Sequence, residues 1–385
     1  MSSLRTGRPA KRVLVVIAVV GLVTLAGCGG GFGLGDTDQE QDDGERDSEA
    51  APTAVDGELE IHHIDVGQGD STLLVTPENE TVLIDTGDWP ADGREIIDYL
   101  DARGIDRIDH LVATHAHADH IGGHAGVIEH LEENGDGVGA AYDSGVAHTS
   151  ATYDNYLDAI EEHDVDLFEV VEGDTLPLES EATEITVLNP PADHSGDEID
   201  PNGVVLTVEF GEFSYLTTGD IGAETEARLV DAHGDALDVA VYQAGHHGSS
   251  TSSTDPFLDA VAPETAIISS ALDSQYGHPH DEVLEAFAER DIETYWTGVH
   301  GAVVFRTDGE QESVTPETEV STDPSVLLDR KHETNEQAAL ERRSGAASTR
   351  VQSVATGPGA VESTADGSRT TPPIDTLSVP TSQHP

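Results

Sequence analysis

The run Thr114-His115-Ala116-His117-Ala118-Asp119-His120 sets three imidazoles and a carboxylate within about one turn of chain. Two later stretches, Thr218-Gly219-Asp220 and Gly245-His246-His247-Gly248-Ser249, add further donors. Neutral imidazole and carboxylate suit zinc and manganese, and four potential ligands in one turn cannot all point into an apolar core. A lone histidine is more often a satisfied core or surface group, but a cluster reverses that expectation. The spacing divides the donors. His115 and His117, two apart, can close on one ion, while Asp119 and His120 face a second. Asp220 can place a carboxylate between both, and His246 can complete the second site. Two divalent ions about 3.5 to 4 Å apart bring the pKa of a shared water toward neutral and stabilise both oxygens of an in-line displacement. The expected cofactor is a pair of divalent metal ions, zinc or manganese, and the chemistry such a pair supports is hydrolysis.

These residues need elements that hold them. Apolar runs bounded by Gly, Asp, Pro and Asn predict strands over 59–66, 71–75 and 81–84. The period then changes: Ile96, Ile97 and Leu100 stand at helical spacing over 94–103, with Gly104 as a stop. A strand over 108–113 ends at the histidine cluster, and 122–133 is helical again. Further strands are predicted over 138–142, 184–188, 204–210, 213–217, 239–242, 265–269 and 303–305, with helices over 223–232, 256–261 and 281–290. This alternation argues for two packed sheets with helices outside. Every histidine-rich segment follows a predicted strand, which is where α/β folds place ligands. Asp65 and Asp85 sit beside Gly67, Gly69 and Gly87 at strand ends. They can buttress ligand histidines or merely cap turns. His62, His63, His124, His130, His148, His163 and His233 have no such partners and read as surface or packing residues.

Composition bounds the setting. The formal net charge is -59, from 76 Asp plus Glu against 17 Lys plus Arg. Self-repulsion on that scale opposes folding, whereas at molar salt the screening length shrinks to roughly 3 Å and a carboxylate-covered surface becomes tolerable. The chain reads as that of a halophile. Its basic residues Arg5, Arg8, Lys11 and Arg12 precede an apolar stretch over 13–25 and then Leu25-Ala26-Gly27-Cys28. That stretch is shorter than the ~20 residues a membrane span needs and has the layout of an export signal. Cys28 is the only cysteine, so no intrachain disulfide or thiolate metal cluster is possible. Leu-Ala-Gly-Cys is similar to the lipobox at which lipoproteins are cleaved and lipidated on cysteine. The expected organisation is a signal peptide over 1–28, a disordered acidic tether over 29–57, one folded domain over 58–307 and a mostly disordered tail over 308–385, with helix-like hints only at 324–343.

The Thr-His-Ala-His-Ala-Asp-His-Ile-Gly-Gly run and Thr218-Gly219-Asp220 resemble the signature of the metallo-β-lactamase superfamily. His63-Ile64-Asp65-Val66-Gly67-Gln68-Gly69-Asp70-Ser71, the His246–Ser252 segment and Tyr276-Gly277-His278-Pro279-His280 look like the extracellular hydrolase domain of the ComEC competence family. The likeness covers residues 59–305. It implies a four-layer αββα sandwich and a nuclease or phosphodiesterase role in processing DNA outside the cell. By motif matching it implies His115, His117, Asp119, His120, Asp220 and His246 as metal ligands, and Asn202 and Ser249 as substrate contacts. Asp119 would be catalytic, as would His247 and His278, standing where a phosphate oxygen or leaving group needs a donor. The last two fit equally as a ligand and a loop anchor.

The chain departs from the pattern in two places. Many superfamily members carry another histidine before the bridging Asp; here Pro201-Asn202-Gly203-Val204-Val205-Leu206 resembles the ComEC-type form with asparagine, and Gly203 replaces its usual serine. His194 is a substitute donor in a loose Asp/Gly setting, and otherwise the first ion needs water or substrate to complete it. ComEC transporters also carry many membrane spans, whereas no apolar stretch of about 18 residues occurs in this sequence. The expected partners are nucleic acid or a small phosphodiester, and the membrane through a lipid on Cys28, for a protein on the outer face of the cell membrane or secreted. Competing readings are hydrolysis of another ester or amide (lactam, lactone or thioester) and a surface binding module in DNA uptake. Duplex DNA carries one charge per roughly 1.7 Å, and no basic patch in this sequence answers it.

Overall fold

A computed structural model describes residues 55–194 and 198–354. The signal segment, Cys28 and nearly all of the tether lie outside the described residues, as do residues 355–385. Two units are distinguished, 1–335 and 336–385.

In chain order, strands β1 (Leu59–His63), β2 (Thr72–Val75) and β3 (Thr81–Ile84) form an antiparallel meander. Helix α1 (Arg94–Arg103) leads to β4 (Arg107–Val112), and the histidine loop opens α2 (Ala118–Ile121) and α3 (His124–Asn134). Strand β5 (Gly137–Asp143), helix α4 (Ala151–Glu162) and β6 (Asp166–Glu169) follow. Next come β7 (Thr183–Asn189), β8 (Val205–Phe210), β9 (Phe213–Thr217), α5 (Ala223–His233), β10 (Val241–Gln243), α6 (Asp255–Val261) and β11 (Thr265–Ile268). Helix α7 (Asp281–Glu289), β12 (Glu293–Trp296), α8 (Thr297–His300), β13 (Val303–Thr307), β14 (Glu312–Pro316) and α9 (Pro324–Val354) complete the order.

The strands make an eight-stranded sheet, β14-β13-β1-β2-β3-β4-β5-β6, and a six-stranded sheet, β12-β11-β10-β9-β8-β7. Successive side chains on a strand point to opposite faces, and the apolar residues sort accordingly. Leu74, Val82, Ile84 and Val112 of the first sheet share one cluster with Leu206, Val208, Tyr215, Val241 and Ile267 of the second, which is the layer between sheets. Their neighbours Leu73, Leu83 and Leu111 pack instead with Ile96 and Leu100 of α1 and Val127, Ile128 and Leu131 of α3. Val205, Leu216, Tyr242 and Ile268 pack with Leu229, Phe257, Leu284 and Phe287 of α5, α6 and α7. Both sheets are thus covered on both faces, giving the helix-sheet-sheet-helix order expected from the sequence. Every residue of the parallel strands β10 and β11 is buried, as follows for strands covered on both faces.

Folded structure continues past residue 307, where the sequence predicts disorder. Strand β14 pairs antiparallel with β13, Val314 opposite Phe305. As a mostly exposed edge strand of Glu, Ser, Val, Thr and Pro it carries no apolar run to signal it. The first turns of α9 bury Leu327 in the cluster under α7, and Lys331 Nζ donates to Asp281 Oδ1 at 2.5 Å. Helix α4, strand β6 and strand β12 are also additions to the predicted order. Among the described residues, no helix is long and apolar enough to cross a membrane.

Candidate metal centre

Strand ends deliver the chemistry. Strand β4 stops at Val112 and releases the loop carrying His115 and His117, with His117 at the N-terminus of α2 and Asp119 and His120 inside that helix. Strand β9 delivers Asp220 through Gly219 at φ 49°. A Cβ at Gly219 would stand 3.0 Å from the Thr114 Cβ, so glycine keeps the two loops together. Strand β10 leads to a tight turn in which His246 and His247 both hold positive φ, 52° and 55°. Two adjacent non-glycine residues there carry strain that the surroundings must enforce, and such strain gathers at functional sites.

The loops are stapled by backbone. Asp70 N donates to Asp119 O at 3.2 Å, Gly87 N to Asp70 O at 2.9 Å, and Thr86 N to His120 O at 2.7 Å. His115 Nε2 lies 3.0 Å from His117 Nδ1 and 3.8 Å from Asp220 Oδ2. His120 Nε2 is 3.2 Å from Asp220 Oδ1. His247 Nε2 is 3.2 Å from Asp119 Oδ2 and 3.7 Å from Asp220 Oδ2, and its Nδ1 is 3.4 Å from Asp70 Oδ1. Two donor groups result, His115, His117 and Asp220 in one, Asp70, His120, Asp220 and His247 in the other, and within each the donor atoms all lie within 4.8 Å of one another. Asp220 belongs to both, as the spacing argument expects.

The geometry differs from the sequence expectation at several residues. His247, fully buried, takes the place in the second group that the motif match gave to His246. His246 is partly exposed, with Nε2 3.5 Å from Asp220 Oδ2 and Nδ1 3.3 Å from Thr251 Oγ1. Asp70 is a donor the sequence reading did not single out. Its signal was its position, directly after Gly67-Gln68-Gly69 at the end of a strand. Asp85 is a buttress: its Oδ2 lies 2.7 Å from His120 Nδ1, and Thr114 donates to it from N at 2.8 Å and from Oγ1 at 2.6 Å. Asp65 is a turn cap, exposed and accepting from Gly67 N.

Around the donors, His278 is buried with its ring stacked 6.1 Å from that of His247, and its Nδ1 has no hydrogen-bond partner among the described residues. Ser249 Oγ bonds Thr251 Oγ1 at 3.0 Å, and Asn202 Nδ2 donates to Glu198 O at 2.8 Å, so both side chains make local contacts. His194 Nδ1 lies 2.9 Å from Pro191 O, within its own loop. His148 approaches the cluster, its ring 5.9 Å from that of His117, and contacts Ala116 O. His62, His63 and His124 are buried packing residues: His62 contacts Tyr99, His63 lies against Tyr215 and Phe305, and His124 lies against Tyr156.

Electrostatics separates the imidazoles. Burial and the neighbouring His120 hold His115 well below its ordinary pKa, so it is neutral. Burial also opposes charge on His120 and His247, but Asp220 overrides it for both, with Asp85 and Asp70 respectively, and raises their pKa well above the ordinary value. Asp220 is held far below the carboxylate range because His120 and His247 outweigh its burial, and Asp119 is lowered by the same two histidines against its own burial. His278 is lowered to about 4 by burial and by His247.

A family model described as the metallo-beta-lactamase superfamily matches residues 64–271. ComE operon protein 3 of Bacillus subtilis (strain 168) is 30% identical over 268 residues, covering 66% of this chain and 33% of that protein. Competence protein ComA of Neisseria gonorrhoeae is 32% identical over 258 residues, again 66% of this chain and 33% of that protein. The chain spans about a third of the length of these relatives. Among solved structures, the metallo-beta-lactamase fold protein YhfI from Bacillus subtilis matches with a TM-score of 0.44 at 11% identity, covering 65% of this chain and 100% of that one. With that family match over more than half its length, and the histidine and aspartate loops at the ends of its sandwiched strands, the chain belongs to the metallo-beta-lactamase superfamily.

Proposed function

We propose that this chain is a two-metal hydrolase of phosphodiesters, acting on DNA or nucleotides at the outer face of the cell membrane, where Cys28 tethers it, or as a secreted enzyme. The observation that carries the metal assignment is a set of buried polar atoms with no hydrogen-bond partner among the described residues: His120 Nε2, His247 Nε2, Asp220 Oδ1 and Asp70 Oδ1. Only histidine–carboxylate ion pairs at 3.2 to 3.7 Å offset the cost of burying them, and cations between them would satisfy all four atoms at once. The donor set fits zinc or manganese, being imidazole and carboxylate throughout. His115, His117 and Asp220 would hold one ion, and Asp70, His120, His247 and Asp220 the other, with Asp119 beside His247.

When bound, such ions acidify a shared water and neutralise charge developing on the attacked group. The protein supplies the rest. Asp85 fixes the ring of His120 through Nδ1, and Ser269 O, 3.1 Å from His247 Nδ1, does so for His247. Asp119, half of a pair with His247 at the open side, can orient a water and accept its proton. His278 stays neutral at pH 7 and keeps a nitrogen without a partner among the described residues, so it can offer a hydrogen bond to a leaving oxygen. Likeness to competence proteins supports DNA as the substrate class. With a net charge of -59 the protein gives phosphate little other anchorage than the metals, and molar salt is its proposed working medium.

The test is turnover of bis-p-nitrophenyl phosphate, DNA and nitrocefin by the purified chain in high salt with Zn²⁺ or Mn²⁺. Phosphodiester cleavage is expected, with Asp119→Ala reducing it about a hundredfold or more. Equal activity in the variant would remove the proposed site, and cleavage of nitrocefin alone would replace the phosphodiester assignment with acyl chemistry.

A further inference from the structure

The first donor group offers only two imidazoles and the shared Asp220, and Asn202, where the family more often has histidine, turns its amide to Glu198 O. Two residues earlier stands Asp200. Its Oδ1 lies 3.3 Å from His117 Nδ1, the nitrogen that faces His115 Nε2. Two donors each about 2.1 Å from one ion at the tetrahedral angle stand about 3.4 Å apart, and both the 3.0 Å from His115 to His117 and the 3.3 Å from His117 to Asp200 are spacings of neighbouring ligands. Among the described residues Asp200 Oδ1, itself buried, has no hydrogen-bond partner, although the residue as a whole is partly exposed.

The turn that carries Asp200 is held against the histidine loop. Residues Asp200–Asn202 form a single 3-10 turn between β7 and β8, closed by Gly203 N donating to Asp200 O at 3.0 Å. The next residue, Val204, donates its N–H to Thr114 O at 2.7 Å, tying the turn to the residue before His115. From the other side the buried Asn189 donates Nδ2 to Pro201 O at 3.1 Å and to Gly203 O at 2.5 Å, and Arg228 holds the Asn189 carbonyl oxygen. A carboxylate on so fixed a turn, aimed at an imidazole nitrogen, is positioned as ligands are.

We infer that Asp200 is a fourth protein ligand of the first metal site, beside His115, His117 and the shared Asp220, with a carboxylate standing in for an imidazole. The assignment rests on the two-ion reading above and deepens its first site. A second carboxylate there gives the first site as many oxygen as nitrogen donors and raises its preference for harder ions such as Mn²⁺.

The test is metal content of the full chain in molar KCl, by equilibrium dialysis against Co²⁺ with visible absorption as a second readout. The wild type is expected to hold two Co²⁺. Asp200→Ala and the nearly isosteric Asp200→Asn should each keep one tightly and bind the other about ten- to a hundredfold more weakly, with part of the visible bands lost. Glu198→Gln, which removes an exposed charge from the same loop at a side chain outside both donor groups, should bind like the wild type, so that a general charge effect would show itself. Should both Asp200 variants bind two Co²⁺ with wild-type affinity and spectrum, the assignment is wrong while the two-ion reading stands. A wild type that holds fewer than two ions overturns both.

Discussion

Asp65 and Asp85 are indistinguishable as sequence, each an aspartate beside glycine at the end of an apolar strand, yet their surroundings predict opposite behaviour on substitution. Asp85 is 1% exposed and accepts from Thr114 N and Thr114 Oγ1 while its Oδ2 meets His120 Nδ1. Asp85→Ala removes two neutral-donor bonds worth about 1 kcal/mol each and one to a charged imidazole worth about 1.5 to 3, so a loss of about 3.5 to 5 kcal/mol in folding stability is expected. Freed from its buttress, His120 should also bind metal about ten- to a hundredfold less well, or about 1.4 to 2.7 kcal/mol. Asp85→Asn guards against unfolding: its carbonyl can keep the Thr114 N–H, while the amide offers a donor where His120 needs an acceptor. Asp65→Ala loses one exposed bond to Gly67 N, and its change in stability should stay within about 0.5 kcal/mol with metal affinity untouched. Urea unfolding in constant KCl and competition against a chromophoric zinc chelator measure the two quantities. Wild-type metal affinity in Asp85→Asn, or an equal loss in the Asp65 variant, would refute the argument that buttressing at Nδ1 holds the site.

The adjacent histidines give a second contrast: His247→Ala should leave one bound Co²⁺ per chain and His246→Ala two, and the reverse counts would exchange their roles. A third prediction concerns Asp143, fully buried near Glu169 at the end of β5, where burial chiefly raises the pKa from 3.8 to about 6. Between those values the folded chain keeps a proton that the unfolded chain has released, so stability falls as pH rises from about 4 to 6 and stays reduced above it, by about 3 kcal/mol. Asp143→Asn, whose carbonyl can still accept from Gly145 N, should therefore be more stable than the wild type at pH 7 and lose most of that advantage near pH 4. Urea midpoints at the two pH values check it, and a variant no more stable at pH 7 would sink it.

Periodicity made most of the scaffold legible. The predicted bounds of 81–84, 94–103 and 213–217 coincide with β3, α1 and β9, where apolar spacing is clean and turn residues flank it. Helix α4 escaped because its buried face is Tyr153, Tyr156, Ala159 and Ile160, only one of them an aliphatic helix marker, set among acidic residues. At the site, a dense histidine motif announces itself whereas a lone carboxylate does not. Asp70 and Asp200 are two of 76 acidic residues, and only the fold's convergence of strand ends distinguishes them. The choice between His246 and His247 was equally hidden, because it is fixed by the left-handed backbone of a turn rather than by residue type.

Neither sheet owns a complete set of donors. Asp70 and the His115–His120 loop leave the strand ends of the first sheet, while Asp220 and His247 leave those of the second. Ions gripped by both would act as rivets across the sandwich, taken up only after its halves dock and shed when they part. Metal release during denaturation should then coincide with cooperative loss of the whole fold, and a fragment ending after β6 would be unable to retain the pair, however well its own strands assembled.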